Sequence, residues 1–132
     1  MSRPLRIQEP GLWHHVMNRG ARKQQIFADD EDRKAFLRLV EDCNKRFDVQ
    51  THALVLMPNH YHLLVLDVSA RLGRSMRHLD GVHTQAFNRR HGLDGPLFRG
   101  RDTYPLDGGE KYPLQEFRYS HYNPVKPRFV TR

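Results

Sequence analysis

Residues 51–57 and 61–68 are two apolar runs separated only by Pro58-Asn59-His60. Two β-like runs joined by turn residues predict a hairpin. A hairpin in the middle of a 132-residue chain constrains what can flank it. Upstream, residues 12–19 alternate in part between Pro10-Gly11 and Gly20, which predicts a strand. The polar loop from Gly20 to Gln25 leads to Asp29-Asp30-Glu31-Asp32, acids suited to a helix first turn, with Asp29 or Asp30 as cap. Phe36, Leu39, Val40, Cys43 and Phe47 then keep helical spacing and belong to the core. Downstream, a second helix is expected over residues 69–90. Its inner face would carry Leu72, Met76, Leu79, His83, Ala86 and Phe87, and its outer face Arg71, Arg74, His78, Gln85 and Arg89. Gly81 in its middle should cost about 1 kcal/mol relative to Ala. A Gly/Pro-rich loop over 91–96 precedes a short strand over 101–106. A third helix is expected over 110–123, with Pro113 in its first turn and Pro124 stopping it.

The resulting order, β-α-β-β-α-β-α, predicts an α+β fold in one domain spanning residues 1–132. The first six elements are those of a ferredoxin-like sandwich, an antiparallel four-stranded sheet with helices on one face. The seventh is a C-terminal helix that carries Tyr119. No repeat or linker interrupts the chain.

Composition narrows the function. The apolar stretch over 53–66 is broken by Pro58, Asn59, His60 and His62, so no membrane span is expected. The N-terminus lacks an apolar signal core, and a cytoplasmic, nucleoid-associated location is the expectation. A single cysteine, Cys43, excludes an internal disulfide framework and a multi-cysteine zinc site. The net charge of +7 and a pI near 10 point to a polyanionic partner, most often nucleic acid. Residues 1–27, 71–91 and 111–132 each carry a net +4, and could converge on one phosphate-neutralising face.

Three groups of residues could carry chemistry. On a strand, His60 and His62 point one way and Tyr61 the other. Two imidazoles at i and i+2 can share one metal ion, or can simply be hydrogen-bonded structural histidines. If residues 118–124 are helical, Tyr119 and Asn123 share a face. They are then a nucleophile and a metal-binding amide, or rim residues of an amphipathic helix. Phe98 between Gly95 and Gly100, with Arg99 and Arg101, suits phosphate contact or base stacking, or plugs the core. His14 and His15 point to opposite faces and are structural or peripheral to a site.

The stretch Met57-Pro58-Asn59-His60-Tyr61-His62-Leu63-Leu64-Val65, followed by Tyr119-x-His121-x-Asn123-Pro124-Val125, resembles the REP-associated tyrosine transposases. These are relatives of the single-tyrosine insertion-sequence transposases in the HUH endonuclease class. Residues 15–20, Ile26-Phe27, 87–92 and 97–101 extend the resemblance over residues 12–126. The resemblance implies a divalent cation, Mg²⁺ or Mn²⁺, held by His60 and His62 with Asn123 as third ligand, and Tyr119 as nucleophile. Asn at positions 59 and 123, where the mobile enzymes tend to carry Asp and Gln, favours the REP-associated branch.

The implied partner is single-stranded or hairpin DNA, engaged by a monomer or a homodimer. Arg19, Arg71, Arg74, Arg77, Arg89, Arg99 and Arg101 are the expected DNA-binding residues. The alternative is a non-catalytic single-stranded nucleic-acid-binding module on the same fold. Against it, the chain has no RNP-like Gly-Phe-Gly-Phe run.

Overall fold

A computed structural model describes residues 10–106, apart from the side chains of 102 and 104–106. Its order is β1 (Leu12–Gly20), a short 3₁₀ turn (Ala21–Lys23), α1 (Asp30–Phe47), β2 (Val49–Met57), β3 (His60–Asp67), α2 (Leu72–His91) and β4 (Phe98–Leu106). The strands form one antiparallel sheet in the order β2-β3-β1-β4. This is the expected ferredoxin-like α+β arrangement, with the first and third strands at its centre. The expected helix over 110–123, with Tyr119 and Asn123, lies outside the described residues.

The helix ends follow from local chemistry. Asp29 caps α1 by accepting from the Asp32 amide at 3.1 Å, and three acids fill its first turn. α2 starts at Leu72 rather than near residue 69. Its amide donors are met by Asp67, whose carboxylate accepts from Arg71 N at 2.9 Å and Leu72 N at 3.2 Å. Ala70, with φ at 61°, turns the chain between that carboxylate and the helix. Arg89, Arg90 and His91 complement the other end of its dipole.

Both helices cover one face of the sheet. Phe36 and Val40 of α1 and Met76, Leu79 and Phe87 of α2 share a buried cluster with Val16, Leu54, Leu56, Tyr61, Leu63 and Val65. Phe36 and Tyr61 are wholly buried and touch. A register shift between Thr51 and Ala53 lets β2 keep Val49 inward before it and Leu54 and Leu56 inward after it. β4 is longer than expected, starting at Phe98. Its register shifts opposite Arg19 and Gly20, where Arg99 stands as an extra residue between Phe98 and Gly100.

Candidate metal and nucleic-acid site

The site is built on the central strands. In the antiparallel register Met17 stands opposite His62 and Arg19 opposite His60, so these four side chains project from one face. His15, two residues before Met17, shares that face. Tyr61 projects the other way, into the helix layer, as do His14, Val16 and Asn18. The histidines therefore lie on the sheet face away from α1 and α2.

The His60 and His62 rings are 5.1 Å apart between centroids and nearly perpendicular, at 84°. An imidazole bonded at about 2.1 Å has its centre about 3.3 Å from the ion, so two on one cation at roughly 90–110° stand about 4.7–5.4 Å apart. The pair fits a shared cation. Each ring is also steadied through Nδ1. His60 Nδ1 is 2.9 Å from Asn59 Oδ1, and His62 Nδ1 is 3.0 Å from His15 Nε2. Such outer contacts set the tautomer and aim of a ligating imidazole. Among the described residues no group of three His, Cys, Asp or Glu side chains is placed to hold a metal.

Beneath the histidines, in the helix layer, lies a polar network. Asp80 of α2 accepts from Tyr61 Oη at 2.7 Å and Asn18 Nδ2 at 3.0 Å. Asn18 Oδ1 in turn accepts from Arg19 N at 3.0 Å and Gly100 N at 3.2 Å. Burial pushes the Asp80 carboxyl up to about 6, against the favourable donors and nearby Arg101. Burial and the adjacent carboxylate raise the Tyr61 phenol well above its ordinary value, so it stays protonated. One acid thus ties α2 to β1 and β3, and through Asn18 to β4, directly behind the histidine pair.

A family model for IS200-like transposases matches residues 9–98. The chain belongs to the IS200-like transposase family. The fold agrees with two solved structures. One is a REP-associated tyrosine transposase bound to a REP hairpin, with a TM-score of 0.62 at 14% identity, covering 91% of this chain and 68% of that one. The other is a protein of Deinococcus radiodurans R1 assigned as a transposase, with a TM-score of 0.60 at 14% identity, covering 92% and 99%. No curated protein matches significantly in sequence.

In this IS200-like chain the candidate DNA-binding arginines divide between two sides of the sheet. Arg19 shares the histidine face, and its Nε is buried with no hydrogen bond. Arg99 is exposed at the β4 irregularity. Arg101 stands opposite Asn18, on the helix side near Asp80. Arg74, Arg77 and Arg89 are exposed on α2, and Arg71 is exposed at its N-cap. Phe98 packs against Tyr61 and His83, so it serves the core rather than a base. His14 is buried with neither ring nitrogen hydrogen-bonded, and burial lowers its pKa. Among the described residues no helix is long and apolar enough to cross a membrane.

Sequence alone makes His15 structural or peripheral to a site, and the structure makes it the partner of His62. Sequence reasoning missed Asp80 altogether. Strand parity and the adjacency of β1 and β3 were the signal for His15. For Asp80, the only signal was an acid among the inward positions of α2.

Proposed function

We propose that this transposase-family chain is a metal-dependent single-strand DNA endonuclease and strand transferase of the tyrosine HUH class. It would act on DNA flanking hairpins, in transposition or REP-element processing. The observation that carries this reading is the pair of imidazoles on one sheet face, at the spacing of a shared cation and each held at Nδ1. His60 and His62 would hold Mg²⁺ or Mn²⁺, with Asn123 as the third ligand. When bound, the cation supplies charge neutralisation and orientation at a non-bridging phosphate oxygen.

The chain's own residues would do the rest. Arg19, in register with His60, would bind the phosphate backbone at the site. Tyr119 Oη would attack phosphorus and give up its proton as the P–O3′ bond breaks, leaving a 5′-phosphotyrosine link and a 3′-hydroxyl. A 3′-hydroxyl can reverse the step, so the bond energy is retained and no nucleotide cofactor is consumed. A single nucleophile holds one strand at a time. That the structural neighbour was solved with a REP hairpin supports DNA of that kind as substrate.

The test is incubation with Mn²⁺ and a labelled hairpin bearing single-stranded flanks, followed by a denaturing gel. The expected result is a covalent adduct that disappears in Tyr119→Phe and persists in Tyr122→Phe. DNA binding without any adduct would replace this reading with a non-catalytic binding module. An adduct in Tyr119→Phe would overturn the choice of nucleophile.

A further inference from the structure

The turn after β1 runs against the backbone preferences of its own residues. Gln24 N donates to Ala21 O at 3.0 Å, and the two residues between them, Arg22 and Lys23, have φ of 57° and 63°. Positive φ at both central positions is the pattern of a type I′ turn, which suits Asn and Gly. Arg and Lys there both bear a Cβ that the left-handed region penalises. Among the described residues they are the only consecutive non-glycine pair with positive φ. Asp48 and Ala70 are single residues beside helix ends.

The surroundings hold the turn rigidly. Gly20 N donates to Asn59 O at 2.9 Å, Ala21 N to Leu97 O at 2.9 Å, and Ile26 N to Pro58 O at 2.8 Å. A Cβ on Gly20 would lie 2.1 Å from Gln24 O, so only glycine permits this close approach. Asn59 joins the turn to the site. Its Oδ1 contacts His60 Nδ1, and its Nδ2 reaches Lys23 O in a long contact of 3.5 Å.

Strain held by so many bonds needs a return, and the side chains supply it. Arg22, Lys23 and Arg99 are exposed, and Arg19 stands opposite His60. None of these four forms an ion pair among the described residues. Arg33, Arg46 and Arg90 are each paired with a carboxylate, while Arg71, Arg74, Arg77 and Arg89 on the helix layer, like these four, are in no ion pair among the described residues. Unpaired cations on a fixed turn suit an anion from outside the chain.

We infer that Arg22 and Lys23, with Arg19 and Arg99, form a phosphate-binding rim beside His60 that holds the backbone of single-stranded DNA entering the histidine face. The inference rests on the reading that this face receives DNA. The strained turn pre-positions two cations that a relaxed Asn-Gly turn would lack.

The test uses two variants of the full chain. R22N/K23G relaxes the turn and removes both charges; R22Q/K23Q removes the charges and keeps the strain. Binding to a fluorescent hairpin with single-stranded flanks is followed by anisotropy from 50 to 200 mM salt, alongside thermal melting. Both variants should bind roughly tenfold or more weakly at low salt, with the slope of log affinity against log salt shallower by about 1.4, about 0.7 per lost phosphate contact. Only R22N/K23G should melt at a higher temperature than the parent. Unchanged affinity and slope in both variants, with the parent binding, would overturn the rim and leave the proposed function standing. Weak binding by R22N/K23G alone would assign the effect to turn shape and equally overturn it. A parent that binds no single-stranded DNA would overturn both.

Discussion

His62 owes its orientation to a residue 47 positions away in sequence. Its ring is stacked with His15, with 5.2 Å between centroids at 20°, and bonded to it through nitrogen, while His60 is held by its own neighbour Asn59. Two adjacent candidate ligands are thus supported by different partners, one neutral amide and one imidazole. Behind them, Asp80 titrates away from its ordinary range. Its ordinary value of 3.8 rises to about 6 because burial disfavours the carboxylate. The folded state therefore holds the proton more tightly than the unfolded chain. The associated stability is complete below about pH 4 and is lost as pH rises through about 6. Asp80→Asn keeps an amide able to meet Tyr61 and Asn18 but cannot ionise. We expect the variant to gain on the parent by on the order of 2–3 kcal/mol between pH 4 and pH 7, a shift of about two pKa units. Melting curves of both proteins across that range check it; a constant difference would mean that Asp80 does not titrate there.

At the scale of elements, α2 is both the basic helix and the one with a built-in weakness. Gly81 lies in its interior, exposed, and a Cβ added there would meet nothing within 4 Å. Gly81→Ala should stabilise the fold by about 0.5–1 kcal/mol, through helix propensity and a less flexible unfolded chain. Denaturant unfolding measures this, and a loss of stability would show that the glycine serves a purpose the packing does not reveal. The helices α1 and α2 and the hairpin were legible because their periodicities, near 3.6 and 2, are local properties of sequence. The α1 cap was legible only as a choice between Asp29 and Asp30, and the bond from the Asp32 amide selects Asp29. The start of β4 was not, because Arg99-Gly100 reads as loop until β1 is alongside to pair with it. The start of α2 was also hidden, since its cap comes from the Asp67 carboxylate at the end of β3. Within the site, His60 and His62 could be placed together from strand parity. The bonds from His15 to His62 and from Asp80 to Tyr61 join separate elements, and no local pattern encodes them.

On the scale of the whole molecule, the sheet separates two populations of positive charge. Arg19 belongs to the histidine face, in register with His60. Arg71, at the N-cap of α2, and Arg74, Arg77 and Arg89 on it lie across the sheet, on the order of 15 Å away. The sequence suggested that basic segments could converge on one face, but two of them stand on opposite layers. A short single strand lying on the histidines cannot touch both. A longer substrate with a hairpin arm can reach α2 by passing round the sheet edge, so the α2 charges should matter only for long DNA. Replacing Arg71, Arg74, Arg77 and Arg89 with glutamine should weaken binding of a hairpin with extended flanks and flatten its salt dependence, because phosphate contacts release counterions. The same variant should bind a short single strand nearly as the parent does. Replacing Arg19 with glutamine should weaken both, because its register places it beside His60 whatever the length of the substrate. Anisotropy titrations with the two DNAs at matched salt separate these effects. Equal losses on short and long DNA for the α2 variant would mean that the helix layer contacts the strand at the histidines, contrary to the geometry of the sheet.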